Sequence, residues 1–242
     1  MNNEKLILKE LYELEDKDKA LSSLRFFKTK EGEYGYGDKF LGITVPLQRK
    51  IASKYYKLLS LEEIDNLIKN EYHEIRLTTI FILVYKYKKS NLEEQKKIVD
   101  LYLNNTKYIN NWDLVDSSAS YILGSYLYEN NIDKNILYKL VKSTNLWEQR
   151  ISIIATGYFI YKNSYSDTIN LALLLMNHKH DLIHKAVGWM LREIGKRDKR
   201  VLTDFLDKYY KEMPRTMLRY SIEHFNKEEK EKYMKKIIKK LI

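Results

Sequence analysis

The sequence predicts an all-α protein, a right-handed stack of antiparallel helix pairs. Three observations predict it. Apolar residues recur with helical spacing along nearly the whole chain. Glycine and proline, which interrupt helices, number only 8 and 2 in 242 residues. The second helix of each pair also carries a pattern that returns at a nearly fixed interval. No segment alternates apolar and polar residues as a strand would.

The chain begins MNNEKLILKELYELEDKDK, a charged amphipathic stretch rather than a signal peptide. It opens an N-terminal region, residues 1–45, that ends in a glycine-rich loop. The loop, GEYGYGDKFLG at 32–42, holds Gly32, Gly35, Gly37 and Gly42, half the glycine of the chain. Glycine this dense permits turns that a side chain forbids. A dinucleotide fingerprint would need a third glycine where Phe40 stands, and no Gly-Lys-Ser/Thr follows, so neither phosphate-loop signature is present. The plainer reading is an ordered connector whose tyrosines pack on the first repeat. The sharper one has Tyr34 or Tyr36 touching nucleic acid at the mouth of a groove. Pro46 suits the first turn of the helix that follows.

Residues 46–226 read as helical repeats. In YHEIRLTTIFILVYKYKK, Ile75, Thr79, Ile82 and Leu83 share one face and lysines gather at the end, where cations suit the helix dipole. LEEIDNLIKN, LEEQKKIVDLYL and TDFLDKYYKE follow the same rule, joined by short polar turns such as Asn104-Asn105 and Asn130-Asn131. Second helices begin near His73, Asn111, Leu146, Leu182 and Pro214. One early position in each is filled by Arg76, Asp116, Arg150, Lys185 and Arg219. The steps from 76 to 116, 150, 185 and 219 are 40, 34, 35 and 34 residues. That period belongs to helical hairpins of the HEAT class, which bury their apolar faces only by stacking. Residues 1–242 are therefore expected to form one domain, with the basic amphipathic helix KEEKEKYMKKIIKKLI at 227–242 as its cap.

Lys+Arg exceed Asp+Glu by 43 to 33, a net charge of +10, which favours a polyanionic partner. A bias toward Lys, Asn, Ile and Tyr would raise the lysine count without any function, so position must decide. There is no cysteine, which excludes disulfides, thiol catalysis and cysteine zinc sites and fits a cytoplasmic protein. No run of about 18 apolar residues appears, so no membrane span is expected. NHKHDLIH brings His178, His180, Asp181 and His184 together, yet it lacks the glutamate of a zinc helix and reads as surface. No metal and no cofactor are expected.

If the second helices line the concave side, the aligned positions form a ladder. Four rungs are cationic, as a groove for phosphates requires. The fifth, Asp116, is an anion among them. By spacing alone, its plainer reading is a helix acid satisfied by a neighbouring turn. The tryptophans add a second signal. Trp112 lies four residues before Asp116, Trp189 four after Lys185, and Trp147 three before Arg150. Trp147 is expected in the core; Trp112 and Trp189 can instead wall a carboxylate, since aromatic faces attract cations and pack on sugars.

With NWDLVDS at 111–117, LWEQR at 146–150, HKAVGWMLREIGK at 184–196 and FLGITVPLQRK at 40–50, the chain resembles the AlkD-type DNA alkylation repair proteins. It resembles in particular a branch with a GEYGYGD-like loop. The resemblance runs over most of the chain and is weakest in about the last 20 residues. It implies a HEAT-like fold and a glycosylase that removes positively charged alkylpurines, of the 3-methyladenine and 7-methylguanine type, without deep base flipping. It implies Asp116 as the catalytic aspartate, with Trp112 and Trp189 as the aromatic pair holding the deoxyribose. Arg150, Lys185, Arg76, Arg192 and Arg219 are then the expected contacts to double-stranded, alkylated DNA, bound by a monomer. Phe26, in LRFFKT, or Phe27 beside it, stands near where the family's glycosylases often carry a tyrosine, and the plainer reading is that either ring packs an early helix. Two rival functions remain: a non-catalytic binder of damaged or branched DNA, and a protein-binding helical scaffold.

Overall fold

A computed structural model describes residues 2–234. Among them every regular element is helical, and the only bridge between extended segments joins Lys39 to Tyr72. The part of the predicted capping helix beyond Met234 lies outside the described residues. The chain divides into two compact units, Met1–Tyr126 and Leu127–Ile242.

The first unit opens with α1 (Asn3–Tyr12), capped by the Asn2 side chain, which accepts from the Lys5 amide. Asp16 caps α2 (Lys17–Phe26) in the same way through the Lys19 amide. The glycine-rich loop then leads to α3 (Val45–Tyr55), with Pro46 in its first turn as expected. Gly42 shows why that loop needs glycine: its φ is +78°, and a Cβ there would sit 2.1 Å from the Asp16 carbonyl oxygen. Ser60 and Glu63 form a reciprocal capping box on α4 (Leu61–Leu67).

Helix α5 (His73–Tyr87) is the centre of this unit. It packs on α3, α4, α6 (Leu92–Asn104) and α7 (Trp112–Asp116). Its β-branched run, TTIFILV, costs a few tenths of a kcal/mol per residue in helix propensity. Burying Ile75, Leu77, Ile80, Phe81, Ile82 and Leu83 returns roughly 1.5–3 kcal/mol each, so packing decides the conformation. Burial extends all round this helix and includes the charged residues of its first turn, His73, Glu74 and Arg76. The single-faced helix expected from the sequence is thus enclosed on every face over most of its length, with Tyr85 and Lys86 half-buried near its end. A 3-10 turn at Thr106–Tyr108 precedes α7, and a π-helical turn at Ser120–Gly124 leads into α8 (Ser125–Glu129).

The second unit continues with α9 (Asn135–Leu140), α10 (Leu146–Ala155), α11 (Gly157–Tyr161) and α12 (Ser166–Leu175). It ends with α13 (Asp181–Arg197), α14 (Lys199–Tyr209), α15 (Arg215–Ser221) and α16 (Lys227–Met234). Helix α13 is its centre, packed against α10, α12, α14 and α15. The approach of α15 depends on Gly188, where a Cβ would lie 2.5 Å from Tyr220 Cβ and 2.6 Å from the Met217 carbonyl oxygen. The second helices of the predicted pairs begin within one residue of their expected starts, at His73, Trp112, Leu146, Asp181 and Arg215.

Candidate active site

In the first unit the site is built on α7, a helix of five residues. Asn111 is fully buried and caps it, accepting from the Trp112 amide at 2.8 Å. One turn separates Trp112 from Asp116, so the two share a stripe. Leu114 and Val115 anchor the opposite side in the core. Both Trp112 and Asp116 are half-buried. The Asp116 charge reaches the enclosed Tyr102 phenol: burial first, then that charge, push the phenol's pKa up against a hydrogen bond from Ser118.

The Trp112 indole rests on an aromatic floor. Phe27 stacks on it with centroids 5.6 Å apart and planes 23° apart, and Phe26 meets it edge-on at 5.9 Å. Phe26 itself is 64% exposed. Below, Phe27 and Phe40 stack on each other at 5.1 Å and both lie against the His73 ring, at 4.7 and 5.0 Å.

His73 is 1% exposed and faces two carboxylates. Its Nε2 donates to Asp113 Oδ2 at 2.8 Å and its Nδ1 to Asp38 Oδ2 at 3.3 Å. Ionised carboxylates only accept, so both ring nitrogens carry protons and the imidazole is a cation. Burial pulls its pKa down, but the Asp113 charge and the bonds to Asp113 and Asp38 outweigh that and raise it from 6.5 to about 9. Asp38, delivered by the glycine-rich loop, also accepts from Arg76 Nη2 at 2.7 Å, Asn110 Nδ2 at 3.3 Å and Asn111 Nδ2 at 3.4 Å. Next to it the Glu74 carboxylate accepts the Leu41 and Gly42 amides at 2.9 and 2.8 Å. The loop is therefore pinned to the first turn of α5 and to the cap of α7. Spacing in the sequence pointed to none of Asp38, His73, Asp113 and Glu74.

Arg76 departs from the expected ladder. It is 4% exposed, and besides Asp38 it donates to the carbonyls of Asn70 and Glu71 at 2.9 and 3.1 Å. Its guanidinium is enclosed by protein and presents nothing to a phosphate. Of the loop tyrosines, Tyr34 is half-buried and Tyr36 is 65% exposed.

In the second unit, α13 carries Lys185, Trp189 and Arg192. Trp189 is half-buried, and its indole N–H donates to Glu193 at 3.1 Å. Glu193 also pairs with Lys196 at 2.9 Å and Arg192 at 3.3 Å, while Arg192 bridges to Glu223 on its other side. Lys185 pairs with Asp181 at 2.9 Å, and Arg219 is exposed. Arg150 is 4% exposed and donates to the Leu182 carbonyl at the start of α13, so it too departs from an open ladder and fastens α10 to α13. Trp147 is buried in the core, as expected. The histidine cluster is engaged internally. His178 meets Gln149 at 2.9 Å, His180 accepts from the Leu182 amide at 3.2 Å, and His184 bonds the His178 carbonyl. Among the described residues no group of three or more His, Cys, Asp or Glu is arranged to hold a metal, and no helix is long and apolar enough to cross a membrane.

Comparison with known proteins adds three findings. The family model described as DNA alkylation repair enzyme matches residues 7–225. A solved structure of a predicted DNA alkylation repair enzyme from Enterococcus faecalis superposes with a TM-score of 0.68 at 16% identity, covering 88% of this chain and 97% of that one. AlkD2 from Streptococcus mutans superposes with a TM-score of 0.52 at 18% identity, covering 85% and 97%. At these identities the likeness establishes the helical fold. No match to a curated protein was found.

Proposed function

The chain belongs to the DNA alkylation repair enzyme family, and from that premise we propose that it is a DNA glycosylase releasing positively charged alkylpurines from double-stranded DNA. It works in the cytoplasm as a monomer. The observation that carries this reading is on α7: a half-buried carboxylate, Asp116, one turn from a half-buried indole, Trp112, whose lower face is filled by Phe27.

The chemistry matches those residue types. An alkylated purine is already cationic, so its glycosidic bond is weakened before the enzyme acts. As the bond breaks, its electron pair leaves with the base, which departs neutral, and the sugar becomes an oxocarbenium-like cation. Asp116 stabilises that cation and orients the water that adds to the sugar carbon, taking up the proton the water releases. Trp112 supplies an aromatic face to the cationic sugar, about 0.5–2 kcal/mol, and the resemblance to the family implies the same role for Trp189. A neutral leaving group needs no strong general acid, and a hydrolysis without change of oxidation state needs no redox cofactor. Lys185, Arg192 and Arg219 hold phosphates and position the strand. Arg150 acts by holding the start of α13, and Phe26 borders the lesion.

The test is release of 7-methylguanine from methylated duplex DNA by the purified protein, measured beside Asp116→Asn. The variant is expected to lose most of the excision rate while binding DNA as tightly or more tightly, since a charge that repels phosphate is gone. Salt-sensitive DNA binding without base release would establish the non-catalytic binder instead. Weak DNA affinity even at low salt is what the protein-scaffold reading predicts.

A further inference from the structure

Two separate routes lead from His73 to Trp112. The first is covalent and polar: His73 Nε2 holds Asp113, the residue that follows Trp112 in the first turn of α7. The second is through ring faces: His73 lies against Phe27, and Phe27 is the floor on which the indole stacks. A single buried cation thus governs both the backbone that carries the indole and the surface that supports it. A third tie runs the other way. Asp38 takes the second nitrogen of His73 together with Arg76 and the side chain of Asn111, the cap of α7. The charged groups that face His73 are Asp38 from the loop, Asp113 from α7 and Arg76 from α5 itself; Phe27 and Phe40 bring only apolar rings. Glu74 is turned away to the Leu41 and Gly42 amides.

We infer that His73 is a positioning residue for base excision, acting through Asp113 and Phe27 to fix Trp112 and, one turn on, Asp116, with the glycine-rich loop supplying its counter-anchor Asp38. This rests on the glycosylase reading above. His73 is enclosed and does not touch the substrate. Its contribution is to the geometry of the chemical step, where a misplacement of about 1 Å costs about a hundredfold in rate, and not to the grip on phosphates.

The test uses the full chain and a duplex bearing one 7-methylguanine. Single-turnover excision at saturating protein gives the chemical step, and fluorescence anisotropy on the same duplex gives Kd. Asp113→Asn keeps the acceptor oxygen and removes the charge; His73→Gln keeps one donor and removes the cation. Each is expected to slow excision tenfold or more while Kd stays within threefold of the parent. The double variant is expected to be no slower than the slower single one, because the two residues act as one unit. Excision within twofold of the parent, or a Kd that weakens in step with the rate, overturns the inference. If His73→Gln does not fold, Asp113→Asn carries the test, since its side chain lies at the edge of the network. A parent protein that releases no base refutes the glycosylase reading rather than the positioning. The positioning is then decided on Trp112 alone, in a Trp147→Phe/Trp189→Phe chain. There Asp113→Asn is expected to raise acrylamide quenching of Trp112 at least twofold, and unchanged quenching overturns the inference.

Discussion

His73 Nε2 and Asp113 Oδ2 lie 2.8 Å apart, joining the first turn of α5 to the first turn of α7 across 40 residues of sequence. His73 is enclosed and Asp113 half-buried, and the cation is neutralised from two sides by Asp113 and Asp38. Breaking an enclosed ion pair from one side costs far more than a surface pair is worth.

The pair makes stability depend on pH. In the folded chain His73 titrates near 9, above its ordinary value of 6.5, so its contribution is complete below pH 6.5 and is lost as pH rises through 9. Asp38 has the opposite sign. Burial would raise its pKa, but the His73 hydrogen bond and the Arg76 charge prevail and hold it below 3.8, so its contribution is present above that value and lost in stronger acid. Stability is therefore expected to be greatest between about pH 4 and 6.5. Between pH 6 and pH 10 the loss from His73 is at most about 3 kcal/mol, a fall of no more than roughly 6–12 °C in Tm. Calorimetry across that range checks it, and His73→Gln is expected to flatten the alkaline limb.

The two adjacent phenylalanines at the end of α2 should separate stability from activity. Phe26 is exposed, and Phe26→Ala is expected to change stability by less than about 1 kcal/mol. Phe27 touches Phe40, His73 and Trp112, and Phe27→Ala is expected to cost about 2–3 kcal/mol. Excision should fall several-fold in both, through a lost border at the lesion in one and an unsupported indole in the other. Thermal unfolding beside single-turnover excision distinguishes them.

Which parts of this arrangement the sequence disclosed follows from how far apart the partners lie. Trp112 and Asp116 were legible because a four-residue spacing is one helical turn, a local fact. The starts of the second helices were legible for the same reason. Arg76 and Arg150 misled, because a charged residue early in a helix ordinarily faces water, and only tertiary packing encloses these two. A signal was present for Arg76: the residues after it, LTTIFILV, are apolar on every face, so the turn that precedes them is enclosed as well. The glycines announced a turning loop, but not that it would carry Asp38 to His73. No local rule joins positions 38, 73 and 113.

Gly188 tests the frame of the second unit. Its replacement by alanine puts a Cβ 2.5 Å from Tyr220 Cβ and 2.6 Å from a backbone oxygen, so α15 must move away from α13. A loss of about 1–3 kcal/mol is expected. Gly32 has open space around it and a φ of +81°, so Gly32→Ala carries only backbone strain of about 1–2 kcal/mol. Because α13 carries Lys185, Trp189 and Arg192, Gly188→Ala should also reduce excision, whereas Gly32→Ala should not. Tm and excision measured on both variants check this.

Burial sorts the cations of the expected ladder into two kinds. Arg219 is exposed, and as a phosphate contact it should displace counterions when DNA binds. Arg219→Ala is expected to lower the slope of log K against log salt by about 1. Arg76 is enclosed, and its planar fork serves Asp38 and two carbonyls at once. A lysine ammonium cannot match that geometry, so Arg76→Lys is expected to cost about 2 kcal/mol of stability. The salt slope should not change, because the residue meets no phosphate. Salt titrations of both variants, with unfolding curves for Arg76→Lys, check the distinction. A reduced slope in Arg76→Lys would return Arg76 to the DNA-facing side and contradict its enclosure.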